Sequence, residues 1–166
     1  MQLREELAAD RSAIHDIHVS AFGSSAEARL VDQLRTAGAA CLSLIAERDG
    51  IPAGHILYSA VTIADRECAA IGLAPMAVRP EFQRQGIGTA LIRESLRLCR
   101  EHGHQSVCVP GHPDFYPRFG FRPAGEFGLS CEYDVPSGAF MVLELQPGSL
   151  RDRTGIIRYH PLFRNF

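Results

Sequence analysis

The stretch Val78-Arg79-Pro80-Glu81-Phe82-Gln83-Arg84-Gln85-Gly86-Ile87-Gly88-Thr89 constrains this chain more than any other. An apolar run leads into it, and apolar residues recur at helical spacing after it. The pattern therefore predicts a strand, a turn and an amphipathic helix in immediate succession. Gly86 and Gly88 fall where the helix begins. A helix start presents unpaired N–H groups and a partial positive charge, a setting suited to phosphate or pyrophosphate. Glycine there lets a ligand reach the main chain, since no Cβ stands in the way.

Two familiar phosphate loops can be tested against these residues. The Walker loop needs a Lys after its last glycine, and none follows Gly88. The dinucleotide fingerprint needs a third glycine close to the first strand of a βαβ unit; here that glycine is missing, and helices and a β-meander come first. Composition excludes other classes. With 166 residues, 46% hydrophobic and 22% charged, the chain reads as one globular domain. Its net charge of −2 argues against a general nucleic-acid binder. Five widely spaced cysteines, without a Cys-x-x-Cys pair, suit neither a disulfide framework nor a zinc site. No apolar signal core opens the chain, and no run approaches the roughly 20 residues that span a bilayer. A cytoplasmic protein with no membrane partner is expected.

Along the chain, Asp10 is expected to cap a helix over 11–21, and Ser24 with Glu27 has the form of a capping box for a second helix ending at Gly38. Strands follow over 41–47, 51–63 and 68–78, the first two joined by the turn signal Asp49-Gly50. Pro75 within the third marks an edge or bulge, which would free backbone groups just before the glycine loop. The helix from Gly86 to about His102 carries Ile87, Leu91, Ile92, Leu96, Leu98 and Cys99 as its apolar stripe. Ser106–Val109 should be a strand parallel to the one before the helix. Phe115–Phe119 reads as a short helix, Phe140–Leu145 as a last strand, and 155–166 as a tail without periodicity.

The pattern Val78-x-Pro80-x-x-Gln83-x-x-Gly86-x-Gly88, with this element order, resembles the GCN5-related N-acetyltransferase (GNAT) superfamily. The ending Tyr116-Pro117-Arg118-Phe119-Gly120-Phe121 adds to the resemblance, and so do Ala21-Phe22-Gly23 and Phe140–Leu145, which look like a branch of small bacterial acetyltransferases of undefined substrate. It covers roughly residues 1–145, leaving 146–166 as a C-terminal extension of one domain. The implied fold is α/β (α+β): a mixed, twisted sheet flanked by helices and splayed between that fold's fourth and fifth strands, ending here at Val78 and spanning Ser106–Val109. The implied activity is acetyl transfer from acetyl-CoA, as cosubstrate, to a primary amine by direct attack in a ternary complex. No metal is implied. The acceptor would be a small-molecule or peptide amine, defined by 22–35 and the loops after Glu126. Superfamily members often form homodimers.

The resemblance also assigns roles. Met76, Ala77 and Val78 would offer backbone groups to the pantetheine arm and an N–H to the thioester oxyanion. Arg84, Gln85, Gly86, Ile87, Gly88 and Thr89 would wrap the pyrophosphate. Tyr116 would protonate the departing CoA thiolate; its other reading is an aromatic packed beside Phe115 and Phe119. Many members carry Asn seven residues before that tyrosine, where this chain has Val109.

A base must take the amine's proton, and Glu27, Glu47, His55 and His112 are the candidates. Glu27 competes with its own capping role, and His55 with that of a hydrogen-bonded core histidine. The strand 71–78 holds no acid or histidine. His15 with His18, and His102 with His104, read as solvated surface pairs. Two other functions stay open at this stage. A CoA-binding sensor or interaction module would bind acetyl-CoA and release no CoA, and a nucleotide-phosphate protein would let ATP compete with CoA.

Overall fold

The computed structural model describes residues 1–165. Twelve elements carry the architecture: β1 (Gln2–Glu5), α1 (Arg11–Phe22), α2 (Ala26–Thr36), β2 (Ala40–Arg48), β3 (Ile51–Ile63), β4 (Arg66–Val78), α3 (Ile87–Glu101), β5 (Ser106–Pro110), β6 (Arg122–Pro123), β7 (Leu129–Cys131), β8 (Phe140–Glu144) and β9 (Gly155–Arg158). The sheet order is β1-β2-β3-β4-β5-β8-β6. β1 is too short and polar to show a period, so the sequence pattern did not disclose it; its presence makes the strand ending at Val78 the fourth.

β2, β3 and β4 form an antiparallel meander. Asp49 and Gly50, at φ 52° and 78°, make the tight turn that the sequence signalled. β4 and β5 are parallel, but their register runs only from Ala70–Ser106 to Gly72–Cys108. Beyond that point the two strands part. Leu73 pairs with Tyr58 while Met76 pairs with Ile56, so β4 carries one extra residue at 74–75, the bulge expected at Pro75. β5 continues to Pro110 on the far side, paired with β8.

Two apolar layers sandwich the sheet. α3 covers one face with Ile87, Leu91, Ile92, Leu96 and Cys99. Ser95 is buried in that stripe and bonds Tyr58 Oη at 2.7 Å, whereas Leu98 is only half-buried. A Cβ on Gly54 would lie 3.0 Å from Ile87 Cγ2, so glycine lets α3 sit directly on β3. α1 and α2 cover the opposite face with Ile14, Ile17, Leu30, Val31 and Leu34. The C-terminal tail is not irregular, as its sequence suggested. β9 pairs with β3 at Thr62 and Ile63, past the end of β2, and with β7. A single 3₁₀ turn (Pro161–Asn165) then packs on α2. Tyr159 lies against Gly72, where a Cβ would be 2.3 Å from its ring.

Asp10 occupies the expected N-cap position of α1, but its side chain makes no bond to the helix N–H groups. The Asp10 carboxylate accepts from Arg4 (2.6 and 2.9 Å) and from the Leu7 N–H (2.6 Å), because the guanidinium fork claims both oxygens. Ser25, not Ser24, occupies the N-cap position of α2; Ser24 Oγ donates to Glu27 at 3.2 Å instead of closing a capping box.

Candidate active site

The glycine loop is built from the strand end outward. Pro80 starts a single 3₁₀ turn with its φ already set, and Phe82 N–H bonds Arg79 C=O at 2.9 Å. Gln83 Nε2 reaches back to Val78 C=O at 3.0 Å, and Arg79 Nε bonds Pro52 C=O at 2.8 Å. Gln85 is tied at both ends, donating to Glu81 C=O (2.9 Å) and accepting from Arg48 (2.6 Å). These bonds hold Arg84 at φ 58° and Gly86 at φ 85°, both left-handed. For Arg84 that conformation costs about 1–2 kcal/mol. The first helical bond of α3 runs from Ala90 N–H to Gly86 C=O, and the N–H groups from Arg84 to Thr89 make no hydrogen bond among the described residues.

Gly88 is the informative position. Its φ is not left-handed, and a Cβ there would meet Met76, Phe115 and Val78 at 3.8–4.0 Å, ordinary contacts. Nothing in the fold requires glycine at 88. The same contacts show what converges there: the end of β4, the helix start and Phe115. Phe115 stacks edge-on to Tyr116 at 5.2 Å. Met76, Ala77 and Val78 pair with Ile56, His55 and Gly54 on one edge only, since β5 has turned away from the other.

Tyr116 opens a 3₁₀ turn and is 7% exposed, packed also against Phe121 at 5.6 Å. Burial pushes its phenol up to about 12. No protein group among the described residues hydrogen-bonds its hydroxyl. Gly111 makes room for it: a Cβ there would lie 2.3 Å from Tyr116 Cε2. Val109, at the position of the family's Asn, is a core side chain on the α3 face.

The base candidates separate. Glu47 is paired with Arg4. His112 is exposed, and its carbonyl holds the Tyr116 turn. His55 is fully buried in a polar chain the sequence did not reveal: His18 Nε2 to His55 Nδ1 at 2.8 Å, His55 Nε2 to Ser43 at 2.8 Å, Ser43 on to Glu6, and Glu6 to Arg35 at 2.6 Å. His18 is thus a core residue rather than a solvated one, and burial lowers it to about 3. Burial opposes the charged form of Glu6, yet its bonds to His55, Arg35 and Ser43 hold it well below the usual carboxylate range. His15 does face solvent, paired with Asp32 at 2.9 Å. Glu27 lies half-buried in the first turn of α2, accepting from Ser24, and no cation among the described residues pairs with its carboxylate. Among the described residues no group of three or more His, Cys, Asp or Glu side chains could hold a metal.

The sequence model of the Acetyltransferase (GNAT) domain matches residues 39–123. The protein named uncharacterized N-acetyltransferase YhbS of Escherichia coli strain K12 is 34% identical over the full length of both chains. The chain belongs to the GNAT acetyltransferase family. The crystal structure of Escherichia coli YhbS in complex with CoA superposes with a TM-score of 0.95, covering 99% of this chain and 92% of that one. A GNAT family acetyltransferase from Brucella melitensis in complex with acetyl-CoA, also 34% identical, gives 0.83 over 98% and 97%. Acetyl transfer from acetyl-CoA is the family's reaction, and the open, helix-flanked sheet is its fold. No helix among the described residues is long and apolar enough to cross a membrane.

The sequence missed Gly111 and the two ends of the histidine chain as partners. Gly111 follows Pro110 in what reads as a turn, and only the fold puts Tyr116 on top of it.

Proposed function

We propose that this GNAT enzyme holds acetyl-CoA between the glycine loop and the free edge of β4 and transfers the acetyl group directly to a primary amine. The observation that carries the reading is Gly88, a glycine without a folding reason at the meeting point of strand end, helix start and Phe115. The N–H groups from Arg84 to Thr89 take the pyrophosphate, with Thr89 adding a hydroxyl. The unpaired edge of Met76-Ala77-Val78 takes the pantetheine as an added strand, and one of its N–H groups holds the oxyanion of the tetrahedral intermediate.

The amine attacks the thioester carbonyl in the gap between β4 and β5. As that intermediate collapses, Tyr116 gives its phenolic proton to the CoA sulfur. A buried phenol is a weaker acid than a free one, but a thiolate released in the same dry setting is a correspondingly stronger base. Glu27 is the proposed base, a carboxylate in the first turn of α2 with no cation paired to it among the described residues. Cys108 is fully buried and pushed up to about 12, unsuited to an acyl-enzyme route.

Gly88→Ala tests the reading in one variant. Alanine in the first turn of a helix stabilises the fold by about 0.5–1 kcal/mol, while its methyl enters the ligand's path. Calorimetry should show CoA binding weakened at least about 10-fold as the urea midpoint holds or rises. Unchanged CoA affinity would remove the loop from the site.

A further inference from the structure

The gap between β4 and β5 opens on the face opposite α3 into a cavity of about 200 Å³, lined by Ala74, Pro110, Tyr133, Val135, Tyr159 and Phe163. Ala74 is in the β4 bulge and Pro110 ends β5, so the cavity begins where the strands part. Its other four residues come from the segment before β8 and from the C-terminal tail. None comes from 22–35. The lining is almost wholly apolar. An apolar cavity of about 150 Å³ already accommodates a benzene ring, so this one holds a single ring or a short branched chain.

Its floor is fixed. Tyr159 Oη bonds Cys108 C=O at 3.3 Å, its ring rests on Gly72, and Phe163 packs edge-on against it at 4.9 Å. The buried Glu132 carboxylate, next in sequence to Tyr133, is already used: it accepts from Tyr159 N–H at 3.1 Å and from Arg158 at 3.3 Å. A second ammonium entering the cavity would have to compete with those bonds for Glu132, and a buried charge without a partner of its own is strongly disfavoured. One polar group stands out. The Tyr133 hydroxyl is enclosed, and the Glu132 side chain is the hydrogen-bonding group beside it.

We propose that this cavity takes the uncharged, apolar body of the acceptor, making the enzyme selective for monoamines on an aromatic ring or branched aliphatic chain over polyamines and lysine-rich peptides. The inference rests on the transferase reading above and names the substrate class of that site. The acceptor's amine then lies at the mouth beside Ala74, facing the thioester carbonyl.

The test is steady-state CoA release by the full chain with acetyl-CoA and phenethylamine, isoamylamine, spermidine or a lysine peptide. Phenethylamine and isoamylamine should exceed spermidine and the peptide by about 100-fold in kcat/KM. Val135→Asp, on a loop outside helix and strand, should cut phenethylamine turnover at least about 10-fold in kcat/KM and leave the KM for acetyl-CoA unchanged. Equal or better use of spermidine or the peptide overturns the proposal, and so does unchanged selectivity in Val135→Asp. Preference for hexanoyl-CoA over acetyl-CoA, lost in Val135→Asp, would make the cavity an acyl site and also overturn it. If no amine is turned over, calorimetry on the CoA-loaded protein decides. Absence of phenethylamine binding refutes the cavity's role, whereas absence of CoA binding refutes the transferase reading itself.

Discussion

Gly111→Ala is a substitution outside the glycine loop that should nonetheless disable the reaction. The added Cβ would stand 2.3 Å from Tyr116 Cε2, 2.9 Å from Cδ2 and 3.2 Å from Cζ. Carbon atoms settle at about 3.5–4 Å, so the ring must retreat by roughly 1 Å. It cannot swing freely, because Phe115 and Phe121 meet it edge-on at 5.2 and 5.6 Å. The backbone at 111 is not left-handed, so alanine adds contact and no conformational strain of its own. A displacement of about 1 Å in a proton donor costs on the order of 100-fold in rate. Loss of the phenol altogether, in Tyr116→Phe, costs about 10²- to 10⁴-fold. The decisive assay is the double-mutant cycle in kcat, with acetyl-CoA affinity measured in parallel. Gly111→Ala should lower kcat by about 100-fold alone and by almost nothing in the Tyr116→Phe background, with CoA binding intact throughout. An equal loss in both backgrounds would mean that Gly111 does not act through Tyr116.

Other outcomes follow from the polar groups. Glu27→Gln should lower kcat/KM for the amine by about 100-fold with CoA affinity unchanged; full activity would transfer the base role elsewhere. His18 is held neutral to about pH 3, against about 6.5 in an unfolded chain. Below pH 6.5 the unfolded state therefore binds the extra proton, and stability should fall by about 1.4 kcal/mol per pH unit between pH 6 and 4 from this group alone. His55, lowered by burial in the same chain, acts in the same direction. Urea midpoints should show that slope, and His18→Leu should flatten it; an unaltered slope would place the acid sensitivity in other groups.

How much could be read from the sequence depended on how local the cause was. The glycine loop was legible because every device in it lies within a dozen residues: Pro80 sets a φ, Gln83 ties the loop to Val78, and Gly86 supplies a left-handed start to α3. Pro75 announced its bulge for the same reason. The capping bonds of Asp10 and Ser24 were misread because a carboxylate and a hydroxyl have several acceptable partners. Arg4, six residues before Asp10 and on another element, outbids the helix N–H groups. His18 and His55 are 37 residues apart and Ser43 lies on a third element, so no spacing rule could join them. β9 escaped notice because Gly155–Arg158 has four residues, too few to establish a period.

The same contrast separates the two halves of the site. The proposed cofactor half is one contiguous segment whose side chains, Pro80, Gln83 and Gln85 among them, serve to hold main-chain amides in place. The acceptor half is assembled from β4, the end of β5, the 133–135 loop and the tail, elements joined only by the fold. Each contributes a side chain rather than an amide, and they come from elements distant in sequence. Substitution at Tyr133, Val135 or Phe163 can therefore alter which amine fits while leaving the CoA loop untouched. On this division, acceptor choice in such a fold can drift independently of acetyl-CoA binding, and the tail, seated on Gly72 at the point where β4 and β5 part, is the element through which it would drift most readily.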